Sequence, residues 1–226
     1  MKKPMMKKAI QNEAVIESRP KVLALYQGVL ELLDEGADLS ALKVSDITDR
    51  AGIGKGTAYE YFKRKEDIIA GAVVYDMERH SRAIRQQWEG IPDFNAKVRY
   101  TFDWILNGMD EQKAFSRFMY FTSHVDGIGK AVLKCLNSRK IEDISIVLMF
   151  RELCARGRDE GQIRNDLGAD EAALMLIGDI VTLVMAMEHM RNEKKGPHPD
   201  GASLVSIDLE KMKNVLCEGY LSMVSP

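Results

Sequence analysis

The chain reads as an all-α protein: a small three-helix amino-terminal domain containing a helix–turn–helix, followed by a larger helical bundle. Its 226 residues are 46% hydrophobic and 29% charged with only 6 Pro, a balance that fits a folded helical protein and excludes a disordered one. Apolar residues recur every three to four positions over most of the length, and no sustained Val/Thr/Tyr alternation marks a sheet.

The elements follow from this periodicity. Residues 18–35 form a first helix, with Val22, Leu25, Tyr26, Val29, Leu32 and Leu33 on one side and Gly36 closing it. Residues 43–66 carry the most informative pattern. Val44, Ile47 and Ala51 make one apolar stripe of a short helix, and Gly52 supplies the permissive backbone of a tight corner. The next short helix buries Ala58 and Phe62, which leaves Lys55, Thr57, Tyr59, Glu60 and Tyr61 outward as contact residues. A longer helix opens at Lys65 and runs through Ile68, Ile69, Ala72, Val73, Met77 and Ile84 to the Gly90-Ile91-Pro92 break. Asp93 caps a helix bearing Phe94, Val98, Phe102, Ile105 and Met109, and a further stripe holds Phe115, Phe118, Met119 and Thr122. A break over residues 124–129, a short helical piece over 131–136 and a helix over 139–157 come next. Ala172 to Met187 is apolar on every side except for Gly178, Asp179 and Thr182, and a last helix over 207–224 carries Leu209, Met212, Leu216, Tyr220 and Met223.

The string Ala51-Gly52-Ile53-Gly54-Lys55-Gly56-Thr57-Ala58-Tyr59-Glu60-Tyr61-Phe62-Lys63-Arg64-Lys65-Glu66-Asp67 resembles the DNA-binding region of TetR-family transcriptional regulators. The family pattern there is Gly-x-x-Lys-Gly-Thr-x-Tyr-x-Tyr-Phe-x-x-Lys-Glu. Gly54 stands where the family usually has a capping Ser, and Ala58 where a larger aliphatic is common; neither change removes a DNA contact. Carried over position by position, the resemblance implies that Thr57 and Tyr59 meet bases or backbone, and that Lys55 and Gly56 lie at the groove-facing helix start. It further implies that Tyr61 and Lys65 clamp phosphate. Lys43 and Ser45, at the start of the preceding helix, are placed to donate to phosphate as well. The division implied is residues 1–64 for the tail and DNA-binding domain and 65–226 for an effector-binding and dimerisation domain.

The all-round apolar helix needs cover on both sides, which a second copy of the chain supplies. The family places its last two long helices in a four-helix dimer interface, so Leu176, Ile180, Leu183, Val184, Met187, Met212, Leu216 and Tyr220 are the expected contacts. A membrane span is rejected, because the apolar run is shorter than about 20 residues and holds Asp179 near its middle. By family analogy, a pocket for a small effector draws on Trp104, Phe118, Met119, Met149, Phe150 and Met175, with His124 and Asp179 as polar groups. Met-rich interiors adapt to varied ligands, although packing explains the same residues.

Net charge of -2 speaks against indiscriminate nucleic-acid binding, while Lys2, Lys3, Lys7, Lys8, Arg19 and Lys21 make the amino-terminal segment locally basic. Cys135, Cys154 and Cys217 are too far apart for a zinc pattern or a disulfide framework, and Met1-Lys2-Lys3 is not followed by a secretory apolar stretch. A reducing, cytoplasmic setting is expected. No nucleophile elbow, phosphate loop or metal-binding His pair is present, so no enzyme activity, cofactor or metal is expected. The leading expectation is a dimeric, ligand-responsive repressor of a palindromic double-stranded DNA operator; a helical ligand-binding or interaction protein, or a helical enzyme, is the alternative.

Overall fold

The computed structural model describes residues 19–38, 41–108, 113, 114, 117, 127–138, 146–193 and 207–226. The basic tail, Met109, Phe115, Phe118, Met119 and His124 lie outside the described residues. The described elements are helices α1 (Pro20–Asp34), α2 (Val44–Arg50), α3 (Lys55–Tyr61), α4 (Lys65–Glu89), α5 (Phe94–Asn107), α6 (Gly127–Ser138), α7 (Ile146–Asp159), α8 (Ala169–Glu193) and α9 (Leu209–Val224). The fold is all-α, as the periodicity implies. Two compact units divide it: residues 1–79 with 117–144, and residues 80–116 with 145–226.

In the first unit, Pro20 starts α1 in the position where its missing N–H is harmless. Val22, Leu25 and Val29 of α1 pack with Ile47 of α2, Ala58 of α3 and Ile68, Ile69, Ala72 and Val73 of α4. Each large member of this core contributes about 1.5–3 kcal/mol by leaving water. Two glycines set how near the helices come. A Cβ on Gly28 would stand 3.2 Å from the Ile47 carbonyl oxygen, so α2 lies against bare backbone of α1. A Cβ on Gly71 would fall on the Tyr26 ring, 2.7 Å from its Cε1, so this aromatic rests on the backbone of α4. Tyr26 also meets Phe62 and Tyr75 with ring centroids 5.9 and 5.7 Å apart.

An ion network completes this unit. Asp76 on α4 is 1% exposed and pairs with Arg117 and with Arg79, while Arg117 also reaches Asp34 at 2.7 Å. A carboxylate so deeply buried persists only with such partners. Helix α6 begins at Gly127, earlier than the glycines and the expected break at 124–129 suggested, because Ile128, Ala131 and Val132 are buried in this core. Tertiary packing outweighs the weak local preference of glycine there.

In the second unit, Asp93 caps α5 through the Ala96 N–H at 3.1 Å, as its sequence position predicts. Gln162 bonds both Asp93 and the Phe94 N–H, tying the cap to the end of α7. Phe94, Val98, Phe102 and Ile105 form the buried stripe of α5. Trp88 donates its indole N–H to Thr101 at 3.2 Å and packs on Phe150 at 5.9 Å. Helix α8 is long and apolar enough to cross a membrane by length and composition, with mean hydropathy 1.6 over its best window, beyond the shorter run read from sequence. Here α7 and α9 cover its inner face. Tyr220 of α9 donates to the Ala172 carbonyl at 3.1 Å and meets Cys154 Sγ at 3.4 Å. Burial pushes the thiols of Cys154 and Cys217 up to about 11.

Gly71→Ala is expected to lower stability by about 1–3 kcal/mol through overpacking against Tyr26. This loss would exceed the roughly 1 kcal/mol gain in helix propensity. Thermal unfolding checks it: an unchanged or raised midpoint would show that the Tyr26 ring moves aside freely.

Candidate nucleic-acid interface

The corner between α2 and α3 is built from three devices. Gly52 takes φ +65°, a left-handed conformation that a side chain resists. The Ile53 N–H returns to the Thr48 carbonyl at 2.9 Å, closing the turn. Gly54 then serves as the extended cap residue of α3, where the sequence places it. At the other end of α2, Asp46 accepts the Lys43 N–H at 2.8 Å and so satisfies the helix entrance. Arg50 grips Glu35 with two bonds of 2.8 and 2.7 Å, fastening the end of α2 to the end of α1. This pairing draws the Glu35 carboxyl below its ordinary range, chiefly through the Arg50 hydrogen bond.

Only Ala58 of α3 is buried. Lys55, Gly56, Tyr59 and Glu60 are exposed and Thr57 and Tyr61 are half-buried, so one short helix presents a lysine, a threonine and a tyrosine on its outer surface. Tyr59 is 51% exposed, so its ring stands in solvent on the outer side of α3. A side chain added at Gly56 would meet nothing of the protein within 4 Å, so internal packing gives no reason for glycine there. The Arg19 guanidinium lies over the Tyr61 ring, 5.5 Å from its centre. Lys43 is exposed and Ser45 half-buried at the start of α2, on the same unit.

Residues 35–72, which span this corner and its flanks, match the family described as bacterial regulatory proteins, tetR family. Over these residues the chain is similar to the DNA-binding region of that family. Solved structures agree in fold over nearly the whole length. The transcriptional regulator FadR of Bacillus subtilis, solved in complex with stearoyl-CoA, has a TM-score of 0.64 at 18% identity over 89% of this chain and 98% of that one. The fatty acid degradation regulator FadR of Bacillus halodurans reaches 0.63 at 19% identity over 90% and 96%. NalD of Pseudomonas aeruginosa, the secondary repressor of the MexAB-OprM multidrug efflux pump, reaches 0.58 at 15% identity over 91% and 97%. No curated protein matches the chain.

Lys65, for which the resemblance implies a phosphate contact, donates its ammonium to the Leu42 carbonyl at 2.8 Å. Leu42 is buried just before α2, so Lys65 ties the first turn of α4 to the loop that launches the reader.

Of the expected dimer residues, Leu176, Ile180, Leu183, Val184, Met187 and Tyr220 are buried within the chain itself. Met212 and Leu216 are half-buried. The open face of α8 instead carries Leu174, Gly178, Thr182 and Met185, and that of α9 carries Val215, Gly219 and Met223. Leu174, Met185 and Val215 are 60%, 68% and 63% exposed. Because α8 is apolar nearly all round, its sequence does not reveal which side the body takes.

Among the described pocket candidates, Met149 and Phe150 are buried in the second unit, while Trp104, Met175 and Asp179 are half-buried. Trp104 faces His80, with ring centroids 6.2 Å apart. Sequence reading missed a run of buried polar groups on α4: Asp76 and Glu78 in the first unit, His80 and Ser81 in the second. Among the described residues, the Ser81 hydroxyl is buried without a hydrogen-bond partner. The visible signal was polar residues at core spacing, since Val73, Asp76, Met77, His80 and Ile84 share one helical face. No group of three or more His, Cys, Asp or Glu among the described residues is placed to hold a metal ion.

Lys65→Ala should cost about 0.5–1.5 kcal/mol by removing the bond to the part-buried Leu42 carbonyl, read as a fall in unfolding midpoint without DNA. Desolvation holds the Asp179 carboxyl above its ordinary range. The folded chain therefore binds that proton more tightly than the unfolded chain does, and the ionised group opposes folding at neutral pH. Asp179→Asn should raise the midpoint at pH 7, and this gain should vanish at about pH 3, below the ordinary aspartate range. A pH-independent difference would assign the effect to packing.

Proposed function

We propose that the protein is a ligand-responsive transcriptional repressor that binds a palindromic DNA operator as a homodimer and leaves it when a small, largely apolar effector binds. The observation that carries this reading is the outer surface of α3, where Lys55, Thr57 and the exposed Tyr59 surround a glycine that the fold itself does not require. In this reading residues 1–64 make the tail and reader, and 65–226 the effector and dimer domain. Lys55, Lys43 and Ser45 meet phosphate, Thr57 and Tyr59 meet base edges or backbone, and Gly56 lets the DNA backbone come close. Tyr61 adds a phosphate contact beside Arg19. The working compartment is the cytoplasm.

Two copies join through the outer faces of α8 and α9, where Leu174, Met185 and Val215 offer apolar cover and Gly178 and Gly219 allow close helix approach. A partnered dimer sets two readers about 34–36 Å apart, the spacing of successive major grooves. The mechanism is a population shift. An effector that favours a displaced α4 would carry the reader with it, because Lys65 holds the Leu42 loop and Gly71 carries Tyr26 of α1. Similarity to FadR solved with stearoyl-CoA supports ligand control, and similarity to the repressor NalD supports repression.

Leu174→Asp and Met185→Glu should leave the monomer folded, as exposed substitutions generally change stability by under about 0.5 kcal/mol. Both should shift the protein from dimer to monomer in sedimentation and weaken operator binding. Leu183→Glu, by contrast, should unfold the second unit at several kcal/mol for a buried unpaired charge. Dimers that survive both exposed substitutions would place the interface elsewhere.

The deciding experiment uses operator fragments selected from the source genome and a panel of their single-base variants at fixed salt. Thr57→Ala or Tyr59→Ala should change the ranking of variants by about 1–3 kcal/mol per lost base contact. Uniform weakening by both substitutions would mean that these side chains only position the protein, and no binding to any fragment would remove the repressor reading.

A further inference from the structure

The second unit holds a cavity of about 360 Å³ between the end of α4, the start of α5 and the face of α7. That volume lies at the low end of the range for small-molecule sites. Its apolar floor is Trp88, Met149 and Leu153, all buried, with Ile91 and Pro92 beside them. Indole, thioether and isobutyl groups of this kind suit a flexible hydrocarbon stem. The Trp88 N–H is already satisfied by Thr101, so the indole turns an apolar surface to the cavity.

The rim has an excess of positive charge. Arg85, Lys97 and Arg156 line the cavity against two acids, Glu89 and Glu152. Arg85 and Glu152 pair with each other at 3.5 Å. Among the described residues neither Lys97 nor Arg156 has an ion-pair partner. Two cations therefore remain against the single carboxylate of Glu89, and they come from different helices. Lys97 stands in the opening turns of α5, whose amino-terminal end is itself electropositive. Surface lysines and arginines are ordinarily solvated, but here two of them border a hollow with a polar rim and an apolar floor, which favours a ligand with both characters.

We propose that this cavity is a binding site for an anionic amphipath, a molecule with a single carboxylate or phosphate head on a hydrocarbon stem. The stem lies on Trp88, Met149 and Leu153, and the head meets Lys97 and Arg156. The site is defined by binding alone and does not depend on the DNA-reading assignment.

The test is titration of the full chain, carrying Trp104→Phe so that Trp88 is its one tryptophan, with decanoate, decanol and inorganic phosphate. Decanoate supplies head and stem, decanol the stem, phosphate the charge. The expected result is saturable change in Trp88 emission by decanoate, at a midpoint about tenfold below that of decanol, with phosphate neither changing emission nor displacing decanoate. The double variant Lys97→Gln, Arg156→Gln should raise the decanoate midpoint about tenfold and leave that of decanol unchanged. Both residues lie at the cavity edge, and unfolding midpoints of variant and parent check that the fold is kept. Leu153→Ala should weaken decanoate and decanol alike. Equal midpoints for decanoate and decanol, a decanoate midpoint unmoved by the double variant, displacement by phosphate, or no saturable change would each overturn the assignment. Operator binding is measured separately, so loss of this site leaves the DNA reading standing.

Discussion

The contact between the Tyr26 ring and the bare backbone of Gly71 is the constraint on which the reading unit depends. It lets α1 lie closer to α4 than any side chain on Gly71 would allow, and it places the Tyr26 edge against Phe62 at the end of α3. A helix as short as Lys55–Tyr61 is marginal in isolation, since nucleation costs more than so few backbone bonds return. Its position is therefore inherited from what it leans on. Ala58 seats one side, Phe62 closes the exit, and the Lys65 ammonium fixes the loop before α2 from below. Only Ala58 of α3 is itself buried, so the reader is held by these few contacts rather than by a large buried area of its own.

Much of this was legible in the amino-acid sequence, for physical reasons. Gly52, the apolar stripe Val44, Ile47 and Ala51, and the cap at Gly54 are local signals, decided by neighbours within a turn or two. The helix over residues 94–107 was legible for the same reason, with Asp93 as its cap and a single apolar stripe. The two short helices of the reader emerge with their outer residues where helical spacing sets them.

What escaped depends on direction and distance. Residue type gave Lys65 a charge suited to phosphate, but only the fold decides that the charge turns toward the Leu42 carbonyl, 23 residues earlier. The buried polar run on α4 escaped because Asp76 finds its partner in Arg117, 41 residues away. Helix α8 posed the opposite difficulty: with apolar residues on nearly all sides, spacing cannot choose an inner face, and the strongest apolar positions became core. The faces of α8 and α9 left open are poorer in large side chains and include Gly178, Thr182 and Gly219. Small residues at an exposed helix surface are a weak signal in sequence, although they permit the closest approach of a neighbouring backbone.

The cysteines carry a consequence of a different kind. Cys154 and Cys217 are buried within the second unit, with thiols pushed up to about 11. At neutral pH only about one molecule in ten thousand then exposes a thiolate at either position, and the thiolate is the form that oxidants and electrophiles attack. The two sulfurs behave as small hydrophobic spheres. Peroxide or a thiol-directed alkylating agent would therefore pass over these two buried thiols, and neither is built to be marked covalently.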